Sequence, residues 1–173
     1  MQNALLSSVT ILFTITVFTM KTKLFLLMAI VLFACSTAKA YDALIDGIYY
    51  EFYGDHASVT HVSENDEGPI SNYSGDIIIP STITYNGTAY TVQAIGNSAF
   101  YECTKLTSVA IPNSVIAIDN QAFYGCDALT SIIIPEGVTT IYSQAIHYCS
   151  NLKSVKIPNS VTSIGTDNFS NCI

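Results

Sequence analysis

Arginine is absent from this 173-residue chain, whose only strong cations are six lysines set against 13 acids. Lys21, Lys23 and Lys39 lie in the first forty residues. The remainder keeps Lys105, Lys153 and Lys156 against all 13 acids, a net charge of −10. So acidic a surface repels phosphate backbones and anionic lipids, which argues against nucleic-acid binding. Histidine is also scarce, with only His56, His61 and His147. The chain contains no G-x-S-x-G, H-E-x-x-H, glycine-rich phosphate loop or paired-carboxylate motif. No catalytic residue, metal ligand, cofactor or small-molecule substrate is therefore expected, and the chain does not read as an enzyme. An enzyme would need a concave pocket joining His56 or His61 to a carboxylate, and His147 reads as a surface substitution.

What the chain does have is repetition. From Ile95 it runs IGNSAFYECTKLTSVAIPNSVIA, IDNQAFYGCDALTSIIIPEGVTT and IYSQAIHYCSNLKSVKIPNSVTS, and a fourth unit starts at Ile164 and is cut off before its strand. The period is 23 residues without slippage, the mark of a stacked solenoid. The most regular part is L-x-x-[VI]-x-I-P, at Leu106 to Pro112, Leu129 to Pro135 and Leu152 to Pro158. Alternation at [VI]-x-I predicts a strand with one buried face, and the proline, lacking an N–H, ends it. Val115, Val138 and Val161 follow the strand, Ile118, Ile141 and Ile164 mark a turn, and Phe100, Phe123 and Phe169 recur, with Ile146 replacing the aromatic in unit three. SAFYEC and QAFYGC are each long enough for about one helical turn, too short to survive alone. A single coil cannot bury enough apolar surface to offset its ordering entropy, so neighbouring coils must stack.

The string I-x-x-x-A-F-x-x-C-x-x-L-x-x-[VI]-x-I-P-x-x-V resembles the BspA-type, or Treponema-type, leucine-rich repeat of bacterial cell-surface and secreted proteins. The match covers Ile95 to Ile173 closely and reaches back through Gly75. The resemblance implies a leucine-rich-repeat solenoid of the α/β class, β-dominated, with a parallel sheet on one side and short helical turns or loops on the other. It also implies a secreted or surface-attached protein that binds other proteins or acts as an adhesin, with no shared catalytic residues.

The first forty residues read as export information. Lys21-Thr22-Lys23 is followed by the apolar LFLLMAIVLFA and then Ala38-Lys39-Ala40, an A-x-A-like cleavage site. The natural start of such a signal is Met20. The rival reading, a membrane anchor over Ala4 to Ala34, places Lys21 and Lys23 in mid-span, which is costly. Leu32-Phe33-Ala34-Cys35 resembles a lipobox, although phenylalanine is unusual there. The expected location is secreted or cell-surface, with membrane contact only through this segment.

Residues 41–74 are expected to form an N-terminal β cap and residues 75–173 the solenoid. Gly47 to Tyr53 and Ala57 to Val62, rich in tyrosine and β-branched residues, flank Gly54-Asp55-His56 and read as a hairpin closing the end of the first coil. Glu64 to Pro69 is a polar loop without EF-hand spacing. Gly75 to Pro80 matches the strand-and-proline part of a repeat, but Pro80 and Pro112 are 32 residues apart. The nine extra residues carry a second hairpin at Asn86-Gly87, flanked by Thr82 to Tyr85 and Thr88 to Val92.

Cys103, Cys126, Cys149 and Cys172 recur once per coil. Their spacing fits no zinc signature, and they are expected as reduced buried thiols rather than disulfides. Along each strand, residues alternating with buried ones should face outward: Asp76 and Ile78, Ser108 and Ala110, Ser131 and Ile133, Ser154 and Lys156. This is the expected partner-binding face, directed at an extracellular or surface protein. Four strands about 4.8 Å apart offer only a few hundred Å², below the roughly 800 Å² per partner of a standard interface. Useful adhesion would need more repeats or many copies. The alternative is a non-binding structural repeat of the cell envelope, or a fragment of a longer surface protein.

Overall fold

The structure, a computed structural model, describes residues 41–62 and 72–172. The export segment, Cys35 and the loop from Glu64 to Pro69 lie outside the described residues.

Both marked turns produce hairpins. β1 (Ala43–Ile45) pairs antiparallel with β2 (Ile48–Tyr53), and β2 with β3 (His56–Thr60), which sets Tyr53 opposite His56. After β4 (Ser74–Ile78) come β5 (Thr82–Tyr85) and β6 (Thr88–Ile95), paired antiparallel. At the turn between β5 and β6, Asn86 and Gly87 have φ of 50° and 79°. A type I′ turn requires positive values at both positions.

β6 joins these hairpins to the repeats. On one edge it takes β3 in parallel, with Gln93 bulged out of the register between Ala57↔Val92 and Ser58↔Ala94. Towards the repeats it pairs with β8 (Ala117–Ile118), which continues into β10 (Thr140–Ile141) and β12 (Ser163–Ile164). Ile95, Ile118, Ile141 and Ile164 therefore sit in one row, one 23-residue lap apart. The eight-stranded sheet has the order β1-β2-β3-β6-β8-β10-β12, with β5 on β6.

This is a departure from the expected sheet, which belonged to the L-x-x-[VI]-x-I-P segments. Those segments do form parallel strands, β7 (Lys105–Ala110), β9 (Ser131–Ile133) and β11 (Ser154–Lys156), each ending before its proline. They pair only as β4 with β7 and β9 with β11, with no ladder between β7 and β9. The cause lies in the first coil. Its short strand pairs Gly75 with Leu106 and Asp76 with Ser108, which leaves Thr107 as a bulge. In the next interval the Lys153 amide donates to the Thr130 carbonyl at 2.9 Å; the equivalent bond from Thr130 to the bulged Thr107 is not made.

Helical turns do not form: the described residues contain no helix, only turns whose residues switch hand. Ser98, Gln121, Gln144 and Asp167 have φ of 56–58°, and Glu102, Gly125, Tyr148 and Asn171 have φ of 51–68°. The alternation lets every second amide leave its own coil. Ser98, Phe100 and Glu102 donate forward to the carbonyls of Asn120, Ala122 and Tyr124, and Gln121, Phe123 and Gly125 to those of Ser143, Ala145 and His147. At the corner beside the isoleucine row the direction is reversed: Asp119, Tyr142 and Gly165 donate back to Ile95, Ile118 and Ile141.

Side chains one lap apart stack. Phe100 lies on Phe123 with centroids 5.0 Å apart and planes 3° apart, and Tyr73 lies against Phe100 with centroids 4.7 Å apart. Leu106, Leu129 and Leu152 are buried in one core cluster with Cys103, Cys126 and Cys149. His147 corrects the surface reading. It is buried, continues the Tyr101–Tyr124 column, and has Nδ1 2.7 Å from the Asp167 carbonyl.

Candidate partner-binding face

All eight residues expected to point outward along the strands are exposed. Register places Asp76 beside Ser108 and Ile78 beside Ala110, then Ser131 beside Ser154 and Ile133 beside Lys156. The bulge at Thr107 lets two hydroxyls converge on one carboxylate: Thr107 and Ser108 both donate to Asp76 Oδ1 at 2.7 Å. The bond from Ser108, then that from Thr107, holds the Asp76 carboxyl below its usual pKa.

Where β7 and β9 part, the face opens into a groove of about 510 Å³. Ser108 and Ala110 line one wall, Ser131 and Ile133 the other, with Asn113 and Lys156 at its margin. Asp76, Ile78 and Ser154 stay outside it, on the flanking surface. Ile78 is 77% and Ile133 63% exposed, a high apolar exposure for isoleucine on a polar strand face. No strand ladder bridges this gap, unlike the rows on either side.

The cysteines form a separate ladder inside the core. Cys126 Sγ donates to the Phe100 carbonyl at 3.2 Å and Cys149 Sγ to that of Phe123 at 3.1 Å, and none of the four repeat cysteines forms a disulfide. Hydrogen bonding with Cys149, and then burial, push the Cys126 thiol far up. Among the described residues no group of three or more His, Cys, Asp or Glu side chains is arranged to hold a metal ion.

A second concavity, of about 340 Å³, joins β2 and β3 to the start of the first two coils. It brings His56 and His61 together with Glu51 and Asp119. His56 Nδ1 lies 3.3 Å from Asp55, and His61 Nδ1 lies 3.2 Å from the Asn97 carbonyl. The Ser58 hydroxyl is directed at the carbonyls of Val59 and Ala94, so no base is hydrogen-bonded to it. Sequence reasoning had noticed both histidines but not Glu51, Tyr53 or Asp119. These come together because β3 pairs with β6 across some 36 residues and β6 with β8 one lap on, a juxtaposition with no local signature.

Residues 76–173 match a family described as BspA type leucine rich repeat region, in six copies. A solved leucine-rich repeat protein from Bacteroides capillosus is 30% identical, with a TM-score of 0.63 over 80% of this chain and 94% of that one. The T. pallidum leucine-rich repeat protein shares the fold at 23% identity and a TM-score of 0.55, over 72% of this chain and 64% of that one. No curated protein matches the chain.

Proposed function

Because this chain belongs to the BspA-type leucine-rich repeat family, we propose that it is a secreted or surface-displayed protein-binding module, an adhesin whose contact face is the one carrying the β7–β9 groove. The groove is the observation that carries this reading. It interrupts an otherwise regular face, leaves strand backbone groups without ladder partners, and sets the exposed Ile133 between Asp76 on one flank and Lys156 on the other. Backbone groups together with apolar side chains on a strand surface are what an extended segment of a partner protein engages. The hairpins of residues 41–74 act as the cap of the solenoid, with Tyr73 over the phenylalanine column, and the segment before Tyr41 serves for export.

The test is adhesion. Beads coated with the purified protein are offered a panel of immobilised extracellular proteins, alongside beads carrying Ile133→Ser with Lys156→Glu and beads carrying a tandem duplication of the repeats. The double variant should lose at least about tenfold in affinity at unchanged Tm, and the duplicated array should adhere more strongly. Equal adhesion by all three, or none by any, would leave a structural spacer of the envelope as the better reading.

A further inference from the structure

The cavity between the hairpin and the first coils has a floor of small residues. Ser58 of β3 and Ala94 of β6 are register neighbours, Glu51 of β2 stands opposite Ser58, and Gly96 follows. Gly96 has no room for more, since a Cβ there would lie 2.8 Å from both Ser58 Oγ and the Val59 carbonyl. Tyr53 and His56, whose rings stack at 5.9 Å, form one wall. The Tyr53 hydroxyl donates to the Glu51 carboxylate. That bond first, then burial and the nearby charges of Glu51, Asp42 and Asp119, push the phenol up to about 12. Asp119 lies on the same cavity and within electrostatic reach of that hydroxyl.

The charges in this cavity do not balance. Asp119 is half-buried and its carboxylate accepts no hydrogen bond among the described residues; burial raises its pKa. Glu51 adds a second carboxylate, and none of the three lysines among the described residues lines the cavity. A partly desolvated carboxylate is ordinarily paired. Two carboxylates, a stacked aromatic wall and no lysine or arginine make up the chemistry that recognises an organic cation.

We propose that this cavity binds the cationic side chain of a partner, of arginine or lysine type, with Asp119 and Glu51 as its anionic ligands and the Tyr53–His56 wall against its stem. The proposal concerns different residues from the strand face and does not depend on it. A guanidinium satisfies both requirements best, because it can stack on Tyr53 while offering paired N–H donors to Asp119. The titratable groups facing Asp119 across the cavity are Glu51, Tyr53, His56 and His61. As pH falls, Asp119 takes up its proton earlier than an ordinary carboxyl, which weakens cation binding.

The purified protein is titrated with arginine methyl ester, lysine methyl ester and, as a neutral control, N-acetylglucosamine, by calorimetry and by amide shifts at Gly96, Asn97 and Asp119. The two cations should bind saturably and move those amides, the arginine ester more tightly and the sugar not at all. Asp119→Asn and Glu51→Gln should each weaken binding about tenfold. Asp119→Asn should fold at least as well as the parent, because it removes an unpaired charge, and Glu51→Gln reports independently. Cation binding that does not saturate, that persists in both variants, or that the neutral sugar matches would overturn the assignment.

Discussion

Gly137 stands where one coil touches the backbone of the coil before it. A Cβ added there would lie 1.9 Å from the Asn113 carbonyl and 2.8 Å from that of Val115, both main-chain atoms that cannot rotate away. Gly137→Ala is therefore expected to cost at least about 3 kcal/mol, read as a fall in Tm. The equivalent positions in the neighbouring laps hold Ser114 and Ser160, whose hydroxyls are buried without a hydrogen-bond partner. Replacing Ser160 by alanine removes that desolvated hydroxyl and should stabilise by about 1 kcal/mol in urea unfolding. The cysteines give a chemical readout of the same packing. Cys103, Cys126 and Cys149 are buried, whereas Cys172 is half-exposed, so a thiol reagent should label Cys172 in the native state and the other three only in denaturant. The recurrence of the thiols could be read from spacing. The burial of His147 could not, because the third unit is degenerate just where the Tyr101–Tyr124 column continues.

At the scale of elements, side chains tie the hairpin β2–β3 to the repeats beyond its strand pairing, and Tyr73 is one of them. The Tyr73 hydroxyl accepts from the Tyr49 amide at 2.9 Å and donates to the Thr60 carbonyl at 3.0 Å, while its ring covers Phe100. Tyr73→Phe keeps the ring and removes both hydrogen bonds, at a cost of about 1–3 kcal/mol; the Tyr49 amide should then exchange with solvent faster than its neighbours. Local chemistry made two of the three hairpins legible in the sequence, through Asn86-Gly87 and through Gly54-Asp55 with its flanking tyrosines; the β1–β2 turn at Asp46-Gly47, with φ of 49° and 82°, went unread. The split between β7 and β9 was not legible, because it follows from a one-residue mismatch between the first coil's strand and its neighbour, and a bulge leaves no mark in a composition of threonine and serine. For the same reason the eight outward residues were placed correctly as exposed, while the groove among them was not foreseen.

For the whole molecule, the lap length is what matters. Every inter-coil bond in the repeats depends on the 23-residue interval, from the isoleucine row to the turn amides. Deleting residues 118–140, one full lap, should leave a protein that still unfolds cooperatively at a lower Tm. Deleting 22 residues instead should abolish the cooperative transition, because each remaining side chain would then fall on the wrong face. The opposed directions of hydrogen bonding have a further consequence. The turn amides point forward and the corner amides point back, so their dipoles partly oppose one another. An α-helix accumulates a field along its axis and needs charged residues at its ends to offset it. This stack mixes both directions within every lap, so each added lap brings opposed dipoles rather than one that grows along the axis.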